Sequence, residues 1–202
     1  MISKKKSRSQ SKKQSKKQSK KQVHQFVCTG NTCRSAALQA IARSIYPEMK
    51  FESCGTALRH GKKGEIMTPV MAKTIKLNNL PKAYKESKAH RSRSCTCSNL
   101  MKVSLTKGSM FVVADKNIKE LNKLIKKCKI KNPQFKAPQV QKLDKNDIFD
   151  GYEDSCELWE RQNIKCDKTK TLKEKRSYQK SFNQLVSALK TNKTFKTQKK
   201  SK

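Results

Sequence analysis

The run VHQFVCTGNTCRSAAL, from Val23 to Leu38, constrains the fold of this chain more than any other stretch. A short apolar segment, Val23 to Val27, has the look of a strand and passes through a tight loop into a helical pattern. From Ser35 to Tyr46 the apolar residues Leu38, Ile41, Ala42 and Ile45 fall at helical spacing, Ser35 is placed to cap the helix, and Pro47 stops it. Further along, Lys50 to Glu52 reads as a short strand, and Thr68-Pro69 opens a helix carrying Val70, Met71, Thr74, Ile75 and Leu77. Thr96 caps a short helix running to Met101. Ser109 to Ala114 (SMFVVA) is the best buried strand, Ile118 to Cys128 a helix, and Pro138 to Leu143 a weaker last strand. Strand and helix in alternation predict an α/β chain, with a parallel sheet and helices on both of its faces.

The loop between the first strand and the first helix also carries chemistry. Cys28 closes the strand, and Thr29, Gly30, Asn31, Thr32 and Cys33 lead into Arg34 and Ser35. Backbone N–H groups in such a loop converge on one point, where a helix N-terminus adds partial positive charge. That is a cradle for a tetrahedral oxyanion, and the same field favours the thiolate of Cys28. Gly30 permits the tight turn and Asn31 tolerates a left-handed backbone. The Arg34 guanidinium can hold two phosphoryl oxygens at once, and Ser35 can donate to the sulfur. Cysteine, five residues, arginine and serine in this setting predict phosphoryl transfer with a covalent step.

Charge bounds the rest of the chain without assigning a function. Lys and Arg number 49 against 15 Asp and Glu, a formal charge of +34. Residues 1–22, with SKKQ repeated, hold no acid and read as a disordered basic tail, as do residues 191–202. Between them, 23–190 reads as one domain, with 151–171 an insertion or loose helix ahead of an amphipathic helix bearing Tyr178, Phe182, Leu185, Val186 and Leu189. A field of this sign attracts phosphate-bearing partners generally, so the tails are expected to touch nucleic acid or anionic surfaces without specificity. No apolar run approaches the roughly 20 residues of a membrane span. The expectation is a cytoplasmic monomer, its basic tail compatible with a nuclear location. Its thiols should be reduced, and most of its eight cysteines should act as small apolar fillers. Cys95 and Cys97 near His90 lack a fourth ligand at zinc spacing, and no metal or other cofactor is expected.

VCTGNTCRS resembles the active-site loop of the low-molecular-weight protein-tyrosine phosphatase family. FESCGT (51–56), MTPVMAKTIKLNN, KAHRSRSCT (88–96) and FVVADKNIKELNKL (111–124) are similar to that family's following elements, so the resemblance covers roughly residues 23–153. It implies a four-stranded parallel sheet, a phosphorylated protein substrate and a cysteinyl-phosphate intermediate. It also implies a network of Asn31, Ser35 and His90 holding the loop, and a structural Asp115 after the central strand. The family's general acid lies in an Asp-Pro-aromatic loop. Here DIFDGYEDS (147–155) puts Asp147 in the acid's place and Phe149 at the aromatic wall, with Ile148 where the Pro is expected and Asp150 a rival acid.

Cys33 is close enough to Cys28 for a protective disulfide. Thr32 stands where phosphotyrosine enzymes of the family mostly carry Ile or Leu, and resembles the protein-arginine phosphatase branch. Phosphotyrosine leads as the expected substrate, with phosphoarginine the alternative. An arsenate reductase would need thiols soon after the central strand, where VVADKN has none before Cys128. An inactive basic relative that binds nucleic acid is the alternative outside catalysis.

Overall fold

In the computed structural model, which describes residues 21–58 and 63–199, the strands β1 (Val23–Cys28), β2 (Lys50–Gly55), β3 (Ser109–Val112) and β4 (Gln139–Lys142) form one sheet in the order β2-β1-β3-β4. Every pairing is parallel. The chain leaves β1 for β2 on one side and later crosses to β3 on the other, so the loop after β1 lies at the switch point where α/β sheets hold ligands.

The helices are α1 (Arg34–Ile45), α2 (Pro69–Leu77), α3 (Pro81–Ala89), α4 (Cys97–Leu105), α5 (Asp115–Lys131), α6 (Cys156–Arg161), α7 (Lys168–Thr191) and α8 (Lys193–Lys199). One core cluster joins Phe26, Phe51 and Phe111 of the sheet to α1, α2 and α7. The other joins Val27, Met110 and Val112 to Leu100, Val103 and Leu121 of α4 and α5. The strands alternate between these two clusters because successive side chains point to opposite faces. Both faces of the sheet are therefore covered.

Several elements differ from the sequence expectation. β2 runs on to Gly55 because Ser53 and Cys54 are buried beside β1. Helix α3 leaves no periodic signal, since it buries only Ala83 and Ser87. Residues 191–202 are not simply a tail: α8 occupies 193–199, and Phe195 is fully buried with its ring against Phe111, Phe51 and Tyr46. One aromatic residue in a lysine-rich segment is enough to dock it. The remainder of both expected tails, 1–20 and 200–202, lies outside the described residues. Residues 151–171 form a short 3-10 turn (Gly151–Asp154), α6 and the start of α7. Thr96 does cap α4, its side chain accepting from Asn99 N–H.

The reading of the cysteines as reduced fillers is also corrected. Cys54 pairs with Cys95, Cys97 with Cys128 and Cys156 with Cys166, which leaves Cys28 and Cys33 as thiols. The first two pairs join elements 41 and 31 residues apart, a closeness that spacing along the chain cannot reveal. No helix among the described residues is long and apolar enough to cross a membrane.

Candidate active site

The loop after β1 is built around Asn31. Its φ of 57° is left-handed, a conformation that Asn accepts more readily than most residues. That twist turns its N–H toward Cys28 Sγ at 3.3 Å and its carbonyl toward His90 Nε2 at 2.6 Å. A carbonyl can only accept, so Nε2 is the protonated nitrogen of His90. Burial, opposed by this bond, holds the His90 titration below its ordinary value. Ser35 does not cap α1; Cys33 occupies that position, and Ser35 Oγ lies 2.9 Å from Cys28 Sγ. Thr29 Oγ1 accepts from Asn117 Nδ2 at 3.1 Å, and the same amide reaches Thr56 Oγ1 at 3.3 Å. The end of β2 closes in at Gly55, where a Cβ would stand 2.4 Å from the Thr29 carbonyl oxygen. Asn31, Ser35 and His90, which the family pattern groups together, are joined here by these bonds.

Arg34 is 4 % exposed. Its Nη1 donates to the Ile148 carbonyl at 3.1 Å, and its Nη2 pairs with the Asp150 carboxylate. Its buried Nε has no partner among the described residues. A cavity of about 350 Å³ opens over Cys28, Gly30, Thr32 and Arg34, with Leu58, Asp150 and Tyr152 on its walls. Thiol, guanidinium and carboxylate share one small space with the loop residues Thr29, Gly30, Thr32 and Cys33, an arrangement suited to a tetrahedral anion and in-line attack.

The carboxylate expected from sequence lies elsewhere. Asp147 pairs with Lys142 and accepts the Asp115 N–H at 3.1 Å. The Lys142 bond, then the Asp115 amide, hold its titration below the ordinary carboxylate value, which keeps it ionised. Asp147 and Phe149 line a neighbouring cavity of about 410 Å³, where the Phe149 ring lies 4.7 Å beneath Lys180 Nζ. Asp150 and Tyr152 line the cavity over Cys28, which Asp147 and Phe149 do not. Gly151 lies between Asp150 and Tyr152, where a Cβ would crowd the Tyr178 backbone at 3.0 Å. The signal was present as Asp-Gly-Tyr three residues after the expected acid. Asp115 starts α5 and pairs with Lys142 at 3.0 Å. Asn117, Ser53 and Arg93, bonded into the loop's support, lie in stretches similar to the family's elements, whereas Gln39 carries no signal beyond being polar.

Among the described residues, no group of His, Cys, Asp and Glu could hold a metal ion, and Cys95 and Cys97 are engaged in disulfides.

Comparison with known proteins bears on this geometry. Residues 24–177 match the description "Low molecular weight phosphotyrosine protein phosphatase". A Staphylococcus aureus protein named low molecular weight protein-tyrosine-phosphatase PtpB is 57% identical over 30 residues, which are 15% of this chain and 22% of that relative. Two solved structures share the fold at 15% identity. The tyrosine phosphatase Wzb from Escherichia coli K30, in complex with sulphate, has a TM-score of 0.59 and covers 85% of this chain and 95% of its own. Vibrio vulnificus Wzb with benzylphosphonate has a TM-score of 0.58 and covers 85% and 96%.

Proposed function

This chain belongs to the low molecular weight phosphotyrosine protein phosphatase family, and on that premise we propose that it hydrolyses phosphotyrosine in protein substrates through a cysteinyl-phosphate intermediate. The observation that carries this reading is the convergence of Cys28, Arg34 and Asp150 on one cavity lined by the loop after β1.

Phosphate enters over the loop, takes two guanidinium donors from Arg34, including the unpartnered Nε, and thereby releases Asp150 from its pair, and the freed carboxylate takes up a proton from solvent. Cys28 Sγ attacks phosphorus in line. The bond from phosphorus to the phenolic oxygen breaks as Asp150 gives that oxygen its proton. Asp150, now a carboxylate, takes a proton from water. The hydroxyl attacks phosphorus, the P–S bond breaks, and inorganic phosphate leaves with the thiolate regenerated. The loop amides, the start of α1 and Arg34 stabilise the equatorial oxygens in both steps. Tyr152 and Leu58 flank the aryl group. Asp150 thus replaces Asp147 as the acid, and Tyr152 replaces Phe149 as the aromatic wall.

A second reading, hydrolysis of phosphoarginine, is favoured by one observation: Thr32 lines the cavity, putting a hydroxyl where an aliphatic side chain would grip a phenyl ring. Arsenate reduction gains no support, since Cys128, the first cysteine after β3, is bonded to Cys97. The test is phosphate release from phosphotyrosine and phosphoarginine peptides side by side, with Cys28→Ser as the blank. Faster release from phosphotyrosine is expected; a reversed preference transfers the assignment to phosphoarginine, and release from neither above the blank overturns both readings.

A further inference from the structure

The hydrogen bonds behind the loop run in one direction. The Arg93 backbone N–H donates to Asn31 Oδ1 at 2.9 Å. A backbone N–H can only donate, so the oxygen side of the Asn31 amide is fixed and Nδ2 faces away from it. The two protons of Nδ2 go to Ser35 Oγ at 3.0 Å and Ser53 Oγ at 2.9 Å. Each serine has then accepted one bond and has a single proton to give. Ser53 gives its proton to Gln39 Oε1 at 2.7 Å. Gln39 presents oxygen there because the Arg93 guanidinium, which also can only donate, reaches the same atom at 3.4 Å. Arg93 is itself anchored through Nε to the Ser53 carbonyl at 2.8 Å. The proton of Ser35 is left with Cys28 Sγ, 2.9 Å away. Asn31, Ser35 and Ser53 are fully buried, so water offers these groups no alternative partners.

We infer that Gln39 and Arg93 are positioning residues that set the polarity of this chain of bonds and so aim the Ser35 hydroxyl proton at the Cys28 sulfur, steadying the thiolate. Neither touches the reacting atoms. The inference rests on the reading of Cys28 as nucleophile. When Gln39 loses its acceptor, the buried Ser53 proton has no partner and turns back on the Asn31 amide. The donation from Asn31 to Ser35 is then disturbed, and with it the bond to sulfur.

Gln39→Met keeps the side-chain length and removes the acceptor. The readout is the rate of Cys28 alkylation by iodoacetamide against pH, with mass spectrometry assigning the modified residue. The half-maximal pH is expected to rise by about 0.5, so that roughly threefold less thiolate is present well below the midpoint. Ser53→Ala, which cuts the same chain one bond nearer, should give a similar rise, and the double variant no more than the larger single one. An unchanged midpoint in folded Gln39→Met, or additive shifts in the double variant, overturns the inference. If Gln39→Met does not fold, an unchanged midpoint in Ser53→Ala overturns it. Alkylation does not depend on the substrate. A shifted midpoint in a protein that releases no phosphate therefore counts against the proposed function alone, and normal turnover with an unchanged midpoint counts against this inference alone.

Discussion

The loop at 28–35 and the loop at 144–155 face the same cavity but are held in opposite ways. The first is almost wholly buried, and polar groups from β2, the segment at 90–93 and α5 pin it from several sides. The second is more exposed, and its carboxylates are held by cations: Asp147 by Lys142, Asp150 by Arg34 and Asp154 by Lys173, with the Phe149 N–H on Gln184 Oε1 at 2.8 Å and the Ile148 N–H on the Val113 carbonyl at 2.9 Å. One region is preorganised and its residues keep their places. The other carries the carboxylate that, in the proposed function, has to pass from arginine to a leaving group.

The largest test of this contrast lies in the rigid region. Cys28→Ser should lower turnover by about 10³-fold or more, since a serine hydroxyl is not ionised at neutral pH, while vanadate, by isothermal titration, still binds. In the second loop Asp150→Asn should cost about 10²-fold on phenyl phosphate, and much less on an activated aryl phosphate. Asp147→Asn should stay within about threefold on both; the reverse pattern would return the acid to Asp147.

The disulfides sharpen the contrast at the level of stability. Cys54–Cys95 ties β2 to the segment that carries His90 and Arg93, whereas Cys156–Cys166 lies beyond the acid-bearing loop. Replacing Cys54 and Cys95 by Ala should lower the unfolding free energy in urea by about 2–4 kcal/mol. Replacing Cys156 and Cys166 should cost less, because the loop closed is 10 residues rather than 41. Equal losses would remove the distinction. A smaller effect, about tenfold in kcat/KM for phosphotyrosine peptides, is expected from Tyr152→Ala, with Phe149→Ala near wild type.

The smallest effect is on pH. Burial lowers the titration of His24 and His90, so the unfolded chain takes up protons first as pH falls below 6.5. Stability from these histidines is full above that value and declines below it. Asp147, lowered by its bond from Lys142, contributes above 3.8 and loses its contribution only as pH falls through the carboxylate range. Between about pH 5 and 6.5 the support behind the first loop should therefore weaken while the Lys142 pair persists. Thermal melts across that range should show a falling midpoint, and His90→Asn should flatten part of the slope; a flat profile in the wild type would contradict it.

The strand, the oxyanion loop and the helix from Val23 to Ile45 were legible because their determinants are neighbours in the chain: an apolar run, a residue tolerant of a left-handed backbone, and helical spacing. The alternation of strands and helices was legible for the same reason, and it sufficed for a parallel sheet. Asn31, Ser35 and His90 could be grouped only by the family pattern, since His90 reaches the loop from 59 residues away.

What spacing alone could not decide depends on contacts between distant segments. Asp150 faces the cavity, and Asp147 does not, because Lys142 at the end of β4 captures Asp147 and the Gly151 turn is packed against Tyr178 of α7. Cys54 finds Cys95 only once β2 and the segment after α3 pair at Gly55 and Ser94. Phe195 turns a basic tail into a docked helix because α7 delivers it to the aromatic end of the core. The local sequence determined where an anion would bind and which thiol would meet it. Which carboxylate stands opposite was decided by the tertiary structure, because the direction of an exposed acid is set by whichever cation and backbone the folded chain brings beside it.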